Sequence, residues 1–136
     1  MEKMLNALKR KDMERFAEEY QRILLELPSY HDLKDENSYH MMMLGMCAFL
    51  RRDYAVKSNR ESGTGRSDIC LYSKNARYPN LVLEFKYTKD EMEDLVELAE
   101  KALDQIKEKQ YDAEMEGEVV YLGLAHCGKS ACVRWE

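Results

Sequence analysis

TGRSDICLYSKNARYPNLVLEFKY, residues 64–87, contains an oddity. Its second apolar run, residues 81–87, has the texture of a buried strand, yet it carries Glu84 and Lys86 two positions apart. Strand side chains alternate between the faces of a sheet. Glu84 and Lys86 therefore share one face, and Leu81, Leu83 and Phe85 share the other. The first run, residues 67–73, carries Asp68 as its second residue, on the same face as Cys70 and Tyr72. If the two runs pair as neighbouring strands, Asp68 can lie beside Glu84. Two carboxylates that close repel one another and shift their pKa values unless a cation lies between them. A hard divalent ion resolves that conflict. Mg²⁺ is the expected one, because it accepts one or two protein carboxylates and completes its octahedron with water and phosphate oxygens. Lys86, one pleat further along, would orient the attacking water or stabilise charge growing on a phosphorus centre.

Outward from this stretch, the pattern alternates between helical and extended segments. A short amphipathic helix over residues 2–9 precedes KDMERFAEEYQRILLELP, whose Met13, Phe16, Ala17, Tyr20, Ile23, Leu24 and Leu27 fall at helical spacing. Asp12 is its expected N-cap, and Pro28 lies past its end. ENSYHMMMLGMCAFLRR is apolar nearly all round and predicts a buried central helix. YAVKSNRE, residues 54–61, reads as a strand, punctuated from the next by Gly63 and Gly65. After Tyr87, TKDE offers a capping box from Thr88 to Glu91, ahead of a helix carrying Met92, Leu95, Val96, Ala99, Ala102, Leu103 and Ile106. EVVYLGLAH and SACVRW predict two closing strands joined by a hairpin. Helices, three strands, a helix and two strands give a mixed sheet flanked by helices, an α/β fold of the α+β kind.

The chain has 136 residues, 45% of them hydrophobic, enough for one domain with its own core. We expect a single domain over 1–136, with a helical extension over 1–28 and a core over 35–136. The formal charge of -5 argues against a globally basic nucleic-acid platform and leaves room for a local basic rim. Cys47, Cys70, Cys127 and Cys132 form no CxxC pair and lie in apolar segments, as expected of reduced thiols in a cytoplasmic protein. No stretch is long and apolar enough for a membrane span, so no membrane partner is expected.

The motifs GRSD, LEFK and ALDQI, in that order, resemble the PD-(D/E)xK nuclease superfamily. They are similar in particular to the nuclease-like domain found C-terminal to bacterial AAA-ATPase-like domains, a resemblance that extends through ENSYH and YLGLAHCGK. It implies a restriction-endonuclease-like core in which Asp68 and Glu84 are metal ligands and Lys86 assists attack on the phosphodiester. It also implies a metal-side role for Glu36 on the first core helix. Gln105 and Tyr111 match a glutamine and a tyrosine that RecB-like members carry on and after the following helix. Ser67 stands where the family motif has proline. The expected activity is a metal-dependent nuclease acting on nucleic acid, DNA first. Asp68, Glu84 and the Phe85 carbonyl would hold Mg²⁺, or Mn²⁺ in its place, with Lys86 and Gln105 as the other catalytic groups. The alternative is a catalytically inactive module of the same fold, partnered with an AAA-ATPase-like domain or protein.

Several residues have two readings. Glu36 falls on the buried stripe of its helix and needs a partner; a salt bridge or an N-terminal cap competes with the metal role. His40 shares that stripe and reads as a satisfied core histidine. Gln105 is expected to point toward the sheet. Glu61 and Arg66 flank the glycine turn, either as site groups or as loop charges, and Lys129 is either a rim lysine or a plain turn lysine.

Overall fold

The computed structural model describes residues 1–27, 33, 35–61, 66–109 and 111–136, with the side chains of Arg60, Glu61, Arg66, Tyr111 and Asp112 outside that description. Helices α1 (Glu2–Lys9), α2 (Met13–Glu26) and α3 (Glu36–Cys47) come first. Strands β1 (Tyr54–Glu61), β2 (Arg66–Ser73) and β3 (Asn80–Tyr87) follow, then α4 (Leu95–Glu108), β4 (Val119–Cys127) and β5 (Ser130–Trp135). Single 3₁₀ turns lie at Ala48–Leu50 and Tyr111–Glu114. The five strands form one sheet in sequence order, antiparallel except for β3 and β4, which run parallel. Parallel neighbours need a long crossover, and α4 supplies it. The mixed sheet with its helices is the α+β architecture expected of a restriction-endonuclease-like fold.

The alternation read in residues 81–87 sorts the two faces. Leu81, Leu83 and Phe85 join Ile69, Leu71, Leu122 and Leu124 in a large core that also takes Phe16, Tyr20 and Leu24 of α2 and Tyr39, Met43 and Cys47 of α3. On the other face Val82 and Cys70 meet Ile106 of α4 and Met115. That second face also carries Asp68 and Glu84, because both lie two residues from members of the smaller cluster.

Helix starts follow the local side chains. Asp12 caps α2 through Arg15 N, as expected, and Asp35 caps α3 through Ser38 N at 2.9 Å. The capping box at Thr88–Glu91 does not form. Thr88 Oγ1 accepts from Asp90 N and Asp90 Oδ1 accepts from Met92 N, closing two tight turns that divert the chain. Asp94 is the N-cap instead, accepting from Val96 N at 2.9 Å. Met92 is accordingly 90% exposed, not part of the apolar face.

The seat of α4 depends on Gly123 in β4. A Cβ there would meet the Ala99 carbonyl oxygen and come within 2.8 Å of Leu103 N, so the helix backbone lies directly on the strand. Gly123 is in register with Glu84, so this contact sets the height of α4 above the acidic row. Gly123→Ala is expected to lower unfolding stability by about 1–3 kcal/mol through overpacking. Gly45→Ala, in an exposed turn of α3 with nothing within 4 Å, should raise it by about 0.5–1 kcal/mol through helix propensity. Urea titration of both variants gives the two signs; a neutral Gly123→Ala would mean that α4 is not seated by this contact.

Candidate active site

Strands β2 and β3 pair with Asp68 directly opposite Glu84. The row extends to Asn59 on β1, in register with Asp68, and to Gly123 on β4. Both carboxylates are fully buried. Asn59 donates its amide to Asp68 Oδ1 at 2.8 Å. A lysine closes the pair: Lys109, the residue just past the end of α4, donates to Glu84 Oε1 and Oε2 at 2.9 and 3.0 Å and lies 3.5 Å from Asp68 Oδ2. Burial pushes the Glu84 carboxyl above its ordinary range, opposed by the hydrogen bond and charge of Lys109, and the neighbouring Asp68 pushes it further up.

Lys86, Glu36 and Phe85 lie toward the same end of the sheet. Lys86 is half-buried, on the face of Glu84, and its charge acts on both Glu84 and Glu36. Burial raises the pKa of Glu36, in the first turn of α3, against the charges of Lys86 and Lys109 and the nearby Tyr87 backbone N–H. The capping role considered for Glu36 belongs to Asp35. Phe85 turns its ring into the large core, next to the His40 and His126 rings, and its backbone pairs with Leu124 one step beyond the Asp68 and Glu84 row.

Gln105 is a correction in orientation. It was expected to point at the sheet and is exposed. The buried face of α4 is Ala99, Ala102, Leu103 and Ile106, and Gln105 is rotated from Ile106 by about 100°. One turn further on, Lys109 swings back over the sheet. The side chains of Glu61, Arg66 and Tyr111 lie outside the described residues. The ammonium of Lys129 donates to the Leu27 carbonyl at 2.6 Å, just past the C-terminus of α2.

Three residues escaped the sequence reading. Lys109 was signalled by its place one turn beyond Gln105. Asn59 was signalled by the β1–β2 hairpin, since it and Asp68 lie equally far from the glycine turn. His126 carried no signal, because its partners are remote in the chain. Its Nδ1 lies 3.0 Å from the Lys86 carbonyl oxygen and its Nε2 2.6 Å from Tyr20 Oη. A carbonyl only accepts, so Nδ1 carries the proton and Tyr20 donates to Nε2. Stacked 4.0 Å from the Tyr39 ring, this neutral imidazole anchors the backbone of Lys86 to α2 and α3. His40 bridges the hydroxyls of Ser67 and Ser58 at 2.6 Å each, a satisfied core histidine behind Asp68.

The paired acids offer a divalent ion its oxygen donors, and the ammonium of Lys109 already marks a point where positive charge reaches both carboxylates. No group of three or more His, Cys, Asp or Glu occurs among the described residues that could hold a metal ion. Two carboxylates are nevertheless what Mg²⁺ asks of a protein when phosphate and water supply the rest, so the donor set fits. A cavity of about 640 Å³ opens past the end of β3, between Tyr87, Lys89, Glu93 and Gly128, but it does not contain the acid pair.

The family model of the PD-(D/E)XK nuclease superfamily matches residues 34–136. The chain belongs to that superfamily. Neither the curated proteins nor the solved structures offer a match. The superfamily match takes in α3, the whole sheet and α4, whereas α1 and α2 precede it. No helix among the described residues is long and apolar enough to cross a membrane.

His126 gives this nuclease-fold site a titration that can be read separately. Burial lowers its pKa from 6.5 to about 4, against the pull of the Lys86 carbonyl. A base whose folded pKa is depressed contributes stability that is whole above its unfolded pKa and is lost as pH falls through the folded one. Unfolding stability should therefore decline between about pH 6.5 and 4, by roughly 3 kcal/mol from this group alone. The His126→Gln protein should lack that share of the slope while keeping the part due to carboxylates. Coincident slopes for the two proteins in acid titrations of stability would rule out His126 as the titrating group.

Proposed function

We propose that the protein is a divalent-cation-dependent nuclease that hydrolyses phosphodiester bonds in DNA. The observation that carries this reading is the register of Asp68 against Glu84, two buried acids on neighbouring strands with the Lys109 ammonium reaching both. Superfamily membership supports it from outside the geometry. Asp68 and Glu84 would hold Mg²⁺ or Mn²⁺, with the Phe85 carbonyl and Glu36 as further oxygens. When bound, the ion supplies charge neutralisation at the scissile phosphate and eases deprotonation of the attacking water.

The chain's own groups would do the rest. Lys86, held through its backbone by His126, would orient the water and stabilise charge on the phosphorus. Asn59 would keep the Asp68 carboxylate aimed at the site. Gln105, exposed one turn from Lys109, would meet the substrate from the side of α4.

One observation favours a second reading, a non-catalytic module partnered with an AAA-ATPase-like protein. Both carboxylates are without exposed surface, under a lysine, in a protein of formal charge -5. Cleavage assays separate the readings. With Mg²⁺ or Mn²⁺ the wild type should cut single-stranded or duplex DNA faster than RNA. Lys86→Ala should slow cutting by about 10²–10³-fold, in line with removing a preorganised charge-stabilising group. Asp68→Ala and Glu84→Ala should abolish it. Cutting that survives all three substitutions rejects the assignment, and saturable Mn²⁺ uptake without any cutting favours the non-catalytic module.

A further inference from the structure

We infer that Lys109 is an internal stand-in cation, which holds the Asp68 and Glu84 pair closed in the metal-free protein and must leave before a divalent ion can enter. The inference rests on the metal-site reading above and adds a gate to it. Lys109 makes its shortest contacts with both oxygens of Glu84, at 2.9 and 3.0 Å, and reaches Asp68 at 3.5 Å. These are the oxygens a divalent ion would need, so the two cations compete for one set of donors.

Charge and geometry make the arrangement provisional. Lys109 brings a single positive charge to two buried carboxylates, whereas a dication brings two to the same oxygens. An ammonium is a compact point charge that tolerates many geometries, so it fills such a site without being fixed in it. Lys109 also has somewhere to go. Its side chain keeps 23% of its surface exposed, and it lies just beyond the last turn of α4, where side-chain rotation breaks no helical hydrogen bond. The helix C-terminus favours a cation nearby in either position. Lys86 is placed differently: it follows Glu84 on the strand and acts on both Glu84 and Glu36, so it stays at the site when Lys109 leaves.

The gate gives the site a resting state. With Lys109 in place both acids are covered and paired before any metal arrives. Once displaced, the ammonium is carried to the open side of α4, where an incoming phosphate would meet it.

Calorimetric titration of the metal-free protein with Mn²⁺ alone tests the competition. Lys109→Met keeps the stem and removes the charge, and it should bind Mn²⁺ about tenfold more tightly than wild type, equivalent to about 1.4 kcal/mol released from the ion pair. In the absence of metal the same variant should melt at a lower temperature, and Mn²⁺ should raise its melting point by more than it raises that of wild type. A second measurement needs no variant. Brief acetylation of the wild-type protein, read by mass spectrometry, should label Lys109 several-fold more at saturating Mg²⁺ than without it, while labelling of the exposed Lys101 stays constant. Equal or weaker Mn²⁺ affinity in Lys109→Met, or Lys109 labelling that does not respond to Mg²⁺ while Mn²⁺ still binds, overturns the gate and leaves the metal site standing. No saturable uptake by either protein overturns both.

Discussion

Two carboxylates meeting face to face inside a sheet are the constraint around which the rest of this structure is arranged. Asp68 and Glu84 occupy opposite positions of the β2–β3 ladder, with no exposed surface. Like charges opposite one another on a sheet repel, and burial withholds the water that would screen them. The arrangement holds because described neighbours on three elements answer it. Asn59 donates from β1, Lys109 supplies positive charge from the end of α4, and a glycine on β4 lets that helix come down far enough for the lysine to reach.

The N-terminal helices belong to the same accounting. They precede the residues matched by the superfamily, yet Phe16, Tyr20 and Leu24 are wholly buried in the main core. Tyr20 reaches further than packing. Through His126 it is two hydrogen bonds from the carbonyl of Lys86, so α2 and the proposed catalytic lysine share one rigid path. The rings of Tyr39 and Phe85 stack on the same imidazole, at centroid distances of 4.0 and 6.0 Å. An aromatic and imidazole cluster on the far face of the sheet thus fixes the strand end whose near face carries the charges. Alternation along one strand lets the two tasks coexist without interference.

Much of this was legible in residues 64–87 because two simple rules act together. A period of two assigns faces, and a short connection makes neighbours antiparallel, so Asp68 and Glu84 had to share a face and could share a row. The bounds of β1 and β5 were read correctly for the same reason, since alternation ends where polar turn residues begin. Failures came where neighbouring residues compete for one job. Thr88, Asp90 and Asp94 can all cap, and three-dimensional context gave the helix to Asp94. Gln105 and Lys109 lie one helical turn apart, and a rotation of some tens of degrees chooses which one reaches the sheet. Tyr20 and His126 are separated by 106 residues, and no local pattern announces such a bond.

The buried acids also bear on whether the site is used. A pair of apolar residues at positions 68 and 84 would fit the surroundings, since Cys70, Val82 and Ile106 already make that face of the sheet apolar. Replacing buried charges by packed hydrophobic groups is often neutral or stabilising, so folding alone gives little reason for acids here. Strand register is no reason either, because Ile69, Leu71, Leu81, Leu83 and Phe85 on the opposite face would expose a row of apolar side chains if the pairing slipped by one. On the proposed reading, the remaining reason is a ligand for the carboxylates. A dication would neutralise the pair without Lys86, whose charge reaches both Glu84 and Glu36. A second lysine beside an occupied metal site makes sense when further negative charge arrives, and a phosphodiester brings it. The pairing of an acid row with an adjacent, half-buried lysine therefore favours a site that works on its ligand over one that merely holds it.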